Sequence, residues 1–169
     1  MTERQAPFIL FQIADTTYAV HSEAVQQMEM VEHITPVPNA PPFVEGVVLS
    51  RGQVIPAINL RTRFGLEKKP YDLRTRLIVV RSGERTVGLI VDSAREFLAI
   101  PPEAIQPPPD TASGMSERYL EGIAILDKRL ILILNVDAVL SIAPSEELHL
   151  AEAIAEVKDA LLAEENPPA

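Results

Sequence analysis

A gapless internal repeat constrains the fold more than any other feature of the chain. The stretch Phe43–Leu60 (FVEGVVLSRGQVIPAINL) lies over Tyr119–Val136 (YLEGIAILDKRLILILNV) at an offset of 76 residues. Glu45/Glu121, Gly46/Gly122, Ile55/Ile131 and Asn59/Asn135 are identical, and most other pairs are apolar on both sides. Thr17–Val20 likewise resembles Thr86–Leu89 at an offset of 69, each leading into a Ser and then an Ala. Two copies of a small sheet suggest paired subdomains with a groove between them. Each copy is expected to be a hairpin, a Pro-rich crossing and a second hairpin, with halves at about 8–70 and 71–140.

The local patterns support strands. Phe8–Ile13 and Thr17–Val20 flank the polar turn Ala14-Asp15-Thr16, and Leu77–Arg81 and Thr86–Val91 flank Ser82-Gly83-Glu84-Arg85. Gly46–Leu49 and Val54–Leu60 flank Ser50-Arg51-Gly52-Gln53, while Gly122–Leu126 and Leu130–Val136 flank Asp127-Lys128-Arg129. These are four hairpin candidates rich in Val, Ile and Leu. Prolines cluster at Pro36–Pro42 and Pro101–Pro109, where no central strand or helix is expected. The first 140 residues are read as helix-free, so the expected fold is all-β.

The C-terminal part differs. Ser145 reads as a helix N-cap followed by Glu146 and Glu147, and Leu150, Ile154, Val157 and Leu161 form one apolar stripe. One domain over 1–143 is therefore expected, made of two intertwined β-barrel subdomains, with an amphipathic helix and frayed tail over 144–169.

Composition narrows the function. At 169 residues the chain suits a single domain. Its net charge of −9 disfavours nucleic acid or an anionic lipid surface as partner. With no cysteine, thiol nucleophiles, disulfides and Cys-ligated metals are excluded. No run approaches the ~20 apolar residues that span a bilayer, and MTERQAP shows no apolar segment ahead of a cleavage site, so a cytoplasmic protein is expected.

Catalytic signals are sparse. The glycines form neither a phosphate loop nor a dinucleotide fingerprint, and no Gly-x-Ser-x-Gly elbow is present. His21, His33 and His149 are scattered without ligand spacing. Asp92 and Asp127 stand near strand ends and read as turn residues more readily than as an acid–base pair. Five Phe and three Tyr are too dispersed for a base-stacking platform. No cofactor and no metal are expected. What remains suits protein contacts: Arg51 at a hairpin tip, where its repeat partner is Asp127, and Val25–Val31, which as a strand places Met28 and Met30 on one face.

The motifs taken together resemble the CheW family of bacterial coupling proteins. The similarity rests on Pro41-Pro42-Phe43-Val44-Glu45-Gly46, Arg51-Gly52-Gln53-Val54-Ile55-Pro56 with Asn59-Leu60-Arg61, Val87-Gly88-Leu89-Ile90-Val91-Asp92, Ile100-Pro101 and Tyr119-Leu120-Glu121-Gly122. It runs from about Phe8 to the helix after Ser145. The resemblance implies an all-β fold of two small five-stranded SH3-like barrels with a groove between them and a C-terminal helix. It implies a non-enzymatic adaptor at the inner face of the membrane, binding chemoreceptor cytoplasmic tips and the regulatory domain of a CheA-type histidine kinase, without inserting into the membrane.

By position the resemblance assigns Val25, Gln27, Met28 and Arg51 to the receptor side. Gly46 and Gly52 are assigned to the geometry of the hairpin that presents Arg51, and Val54, Ile55 and Ile58 to the kinase side. Two departures stand out: Leu49-Ser50 where the family commonly has Asn-Leu, and Gln27 where it often has Glu. The alternatives are the same scaffold in a pili-motility, developmental or gene-expression pathway, and, from another class, a small nucleic-acid-binding β-barrel, which the net charge disfavours.

Overall fold

The computed structural model describes residues 6–108, 119–141, 151–152 and 154–160, Arg95 by its backbone alone. Within them lie strands β1 (Ala6–Ile13), β2 (Thr16–His21), β3 (Val25–Met30), β4 (Val44–Ser50), β5 (Gln53–Asn59), β6 (Arg76–Ser82), β7 (Arg85–Val91), β8 (Ser93–Ile100), β9 (Ile105–Gln106), β10 (Leu120–Leu126) and β11 (Arg129–Leu134). Sheet 1 runs β8-β1-β2-β11-β10-β9 and sheet 2 runs β3-β6-β7-β5-β4. All four hairpins form where the local patterns place them.

The repeat explains the topology. Each sequence copy is split between the sheets: the front hairpin β1–β2 joins the rear hairpin β10–β11, while β6–β7 joins β4–β5. The two parallel contacts are equivalent under the repeat offsets, since Ala57↔Gly88 maps onto Ile133↔Ala19. The chain halves thus describe the sequence, and each sheet needs strands from both. Each sheet is closed by the segment following its edge strand. In sheet 2, Thr35 and Val47 exchange backbone hydrogen bonds of 2.9 and 2.8 Å. In sheet 1, Ile105 and Gln106 pair with Ala124 and Ile123. That closing piece is long enough in sheet 1 to count as a sixth strand, so five strands hold for sheet 2 only.

The identical residues have identifiable tasks. Gly46 and Gly122 sit at matching register shifts in β4 and β10. A Cβ on Gly46 would stand 2.2 Å from the Thr35 carbonyl oxygen, and one on Gly122 2.9 Å from that of Gln106, so these positions admit the closing segments only without a side chain. Ile55 and Ile131 are buried in the two barrel interiors. Asn59 and Asn135 cap single-turn helices: α1 (Leu60–Arg63), where Asn59 accepts from the Arg61 and Thr62 amides, and α2 (Val136–Val139), where Asn135 accepts from Ala138. Leu60 and Val136 therefore belong to helices rather than to the strands the pattern extends through them, and further turns of 3₁₀ helix occur at Ser22–Ala24 and Pro102–Ala104. Such short helices carry no amphipathic period, which is why the chain reads as helix-free there.

Three apolar clusters hold the molecule. One fills each barrel, and the largest joins the two sheets through residues such as Phe11, Tyr18, Phe64, Tyr119, Leu89 and Leu134. Within it Phe11, Tyr18, Phe64 and Tyr119 form a ladder with successive ring centroids 5.7, 5.2 and 5.5 Å apart. Burial of each large side chain of this kind contributes roughly 1.5–3 kcal/mol.

One ion pair also crosses the junction. The Asp92 carboxylate accepts from Arg61 Nε at 2.8 Å, from Arg61 Nη2 at 2.6 Å and from the Ala14 amide in the β1–β2 turn at 2.8 Å. Burial raises the Asp92 pKa, but the Arg61 fork and the Ala14 amide outweigh it and hold the carboxyl below its ordinary range. Asp92 is thus more than the turn residue its position suggests, whereas Asp127 does occupy the β10–β11 turn. Residues 151–152 and 154–160 are helical apart from the undescribed 153, and Ile154 and Val157 are the two half-buried positions among them. Ser145, Leu150, Leu161 and His149 lie outside the described residues.

Candidate functional site

The hairpin β4–β5 turns through Arg51 and Gly52 with φ of 49° and 80°. Two successive left-handed residues make the tight turn that matches strand twist, and glycine is favoured at the second. Nothing lies within 4 Å of a Cβ placed on Gly52, so conformation alone explains it there. Gly46, at the far end of β4, serves barrel closure instead of presenting Arg51. Arg51 is exposed and, among the described residues, its side chain has no hydrogen bond or ion pair.

The two departures meet each other. Gln27 Nε2 donates to Ser50 Oγ and also to Glu29 Oε2 at 2.9 Å. This bond ties β3 to the β4 end of the tip, across the gap between the two edges of sheet 2. Beside it opens a cleft of about 520 Å³ lined by Met30, His33, Leu49, Ser50 and Arg51, among others. Met28 and Met30 are 43% and 50% exposed on the same face of β3. Val25 is half-buried and packs on the shared core. Gln27, Met28 and Arg51 are thus gathered around one edge of sheet 2.

The kinase-side trio separates. Val54 is half-exposed, but Ile55 lies inside the sheet 2 barrel at 3% exposure and Ile58 in the shared core at 5%. Neither isoleucine presents a surface, because β5 is flanked by β4 and β7 and covered on both faces. Alternation assigns a strand face only where the other face meets solvent. Ile58 instead lines an apolar recess of about 250 Å³ with Phe43, Val44, Pro56 and Leu140, reached by Ala151 and Ile154 of the C-terminal helical segment.

Sheet 1 carries an apolar face the sequence did not single out. Phe97, Ile125 and Leu130 are exposed, and they are the repeat partners of Met28, Leu49 and Val54. Ile125 and Leu130 are direct cross-strand neighbours, as Leu49 and Val54 are. Superposing the two offsets on the exposed residues would have found this pair of faces. His21, for its part, is held by Glu121 at 3.0 Å and the Phe8 ring, and no group of three metal-ligating side chains assembles among the described residues.

Two fused barrels with exposed apolar faces, and an arginine at one tip that has no partner among the described residues, define the class: a β-barrel scaffold that works by docking other proteins. The CheW-like domain model matches residues 7–143. The chain is 32% identical over 148 residues to chemotaxis protein CheW of Klebsiella aerogenes, covering 88% of this chain and 87% of that one. It is 36% identical over 140 residues to that of Helicobacter pylori, covering 82% and 83%. Among solved structures, the scaffolding protein TtCheW of Thermoanaerobacter tengcongensis matches with a TM-score of 0.78 and 30% identity, over 84% of this chain and 97% of that one. The chain belongs to the CheW-like family, and its function is that of a scaffolding, coupling protein of chemotaxis signalling. No helix among its described residues is long and apolar enough to cross a membrane.

Proposed function

We propose that the chain couples the cytoplasmic tips of chemoreceptors to the regulatory domain of a CheA-type histidine kinase, without chemistry of its own, and that receptor arrays recruit it to the inner face of the membrane. The observation that carries the receptor side is the Arg51 guanidinium, without a partner among the described residues, beside a cleft of mixed lining in which Met30, Val48 and Leu49 stand with Glu29, Glu32 and His33. A cation flanked by Met30 and Leu49, with Glu29 and Glu32 further along the same cleft, suits an amphipathic helix that carries both an acidic and a basic residue beside its apolar stripe. Methionines supply an adaptable surface for it. Gln27 holds β3 to the tip through Ser50.

The kinase side is read onto the hairpin faces. A CheW-like regulatory domain offers barrel edges of the same design, and Ile125–Leu130 on sheet 1, away from the receptor-side cleft of sheet 2, gives it an apolar cross-strand pair to pack on. Control then follows from a difference in affinity of the coupled kinase for the receptor's two states.

The test is purified full-length chain mixed with the regulatory domain, then with full kinase and receptor fragments. Binding to each, together with receptor-dependent change in autophosphorylation, is expected. Binding to neither by a cooperatively folding chain overturns the reading.

A further inference from the structure

Besides the shared core and the Asp92 tether, one further side chain links the two barrels, and its contacts straddle the repeat. Arg63 ends α1, with its guanidinium carbon 4.0 Å from the centroid of the Phe43 ring and 5.0 Å from that of Tyr119. Those rings are repeat partners. Arg63 Nε donates to the Val139 carbonyl at 2.9 Å and Nη2 to that of Ser141, and Val139 is the repeat partner of Arg63 itself. Arg85 of β7 donates to the carbonyl between them, Leu140, at 3.1 Å. Three successive carbonyls at the C-terminal end of α2, an end that leaves acceptors without intrahelical donors, are therefore taken by two arginines from the sheet 2 side. The C-terminal end of α1 is closed by its own chain, through the Phe64, Gly65 and Leu66 amides.

Equivalent groups of the two repeats converge here, and the site between them takes one side chain. The first repeat supplies Arg63 and the second supplies Val139. The surrounding core is apolar, and apolar burial has no preferred direction. A planar fork that bonds two carbonyls while stacking on two rings is directional, and an ammonium cannot reproduce it. We propose that Arg63 is a positioning residue that sets the angle between the barrels, so that partners docked on sheet 1 and sheet 2 keep one relative orientation. Its consequence for signalling rests on the coupling reading above. Tethering needs only the two docking faces; transmission needs them held rigidly to each other.

The chain has no cysteine, so Met28→Cys and Leu130→Cys on β3 and β11 accept spin labels without background. Double electron–electron resonance on this pair reads the inter-barrel distance with no partner present. A single narrow distribution is expected for the parent chain. Arg63→Lys should broaden it at least twofold while cooperative unfolding persists, and Phe43→Leu, which removes the nearer ring, should broaden it likewise.

In the unlabelled chain, Arg63→Lys should bind each partner within twofold of the parent, yet lose at least fivefold of the receptor-dependent change in kinase activity. An unbroadened distribution in both variants overturns the assignment. So does loss of binding to each partner in step with loss of control, which would make Arg63 a fold element only. Should the parent chain bind neither partner, the coupling reading falls and the distance measurement still decides the positioning role.

Discussion

The tips of β4–β5 and β10–β11 share a backbone and differ in what their side chains do. Both turn through two consecutive left-handed residues, Arg51-Gly52 and Asp127-Lys128. In sheet 1, Arg129 clasps Glu96 of β8 through contacts of 2.8 and 3.1 Å. The repeat partners of those residues in sheet 2 are Gln53 and Gln27, which carry no charge, and Gln27 bonds Ser50 instead. Beside the sheet 1 tip a charged pair is clasped to the neighbouring strand; at the sheet 2 tip, among the described residues, the Arg51 guanidinium is turned outward without a partner. Duplicated geometry therefore fixes where each tip stands, and a few side-chain exchanges decide which one is available to a partner.

The deepest common element should break first. Gly46→Ala forces a Cβ toward the Thr35 carbonyl and is expected to cost about 3 kcal/mol in urea unfolding. Gly122→Ala, with its nearest neighbours at 2.9 Å, should cost about half as much. Equal costs would show that the two closures are mechanically alike despite their different spacing.

The Asp92 tether comes next, because it belongs to sheet 1 through the Ala14 amide and to the sheet 2 side through Arg61. Asp92→Asn leaves a largely buried guanidinium without its counter-charge and should cost about 2 kcal/mol near pH 7. The sign with pH follows from the lowered carboxyl pKa. The stabilisation is complete above the ordinary carboxylate value of about 4 and is lost as pH falls through the lower folded value. The gap between parent and variant should therefore close in acid. A gap independent of pH would mean that hydrogen-bond geometry, not charge, holds the tether.

Arg51→Asp tests the difference between the tips directly. Receptor-dependent control of the kinase should fall about tenfold, a loss of roughly 1.4 kcal/mol in coupling, with unfolding unchanged. Asp127→Arg in the other tip should alter neither by more than twofold. A stability loss on Arg51→Asp would mark the arginine as structural.

Much of this arrangement was legible in the chain because duplication left paired identities. Gly46/Gly122 and Asn59/Asn135 mark the closures and the helix caps, and the four hairpins follow from alternation and turn residues. Which hairpins pair across the copies was not legible. It depends on parallel pairing of β2 with β11 and of β7 with β5, contacts between distant segments that local periodicity does not encode. Ile55 and Ile58 were misplaced for a related reason, since a strand covered on both faces shows no solvent side. Arg63 escaped notice because its repeat partner is a valine, so comparing the copies shows a mismatch rather than a site. Gln27 and Ser50 read as two separate departures until the fold placed one against the other.

The smallest expected effect isolates the clasp in sheet 1. Glu96 and Arg129 are each nearly half exposed, so their pairing should contribute no more than about 1 kcal/mol and should weaken as salt screens it. Arg129 donates to Glu96 and keeps its carboxyl below the ordinary range against a smaller opposing effect of burial, so the contribution fades as pH falls through that lowered value. Glu96→Gln should leave stability within that 1 kcal/mol while releasing the Arg129 guanidinium near a tip where Lys128 is already exposed. If availability of the cation is what distinguishes the tips, this variant should gain measurable, salt-sensitive affinity for the receptor fragment in a chain already carrying Arg51→Asp. No gain would mean that recognition depends on the cleft lined by Met30, Leu49 and Arg51 rather than on a released guanidinium alone.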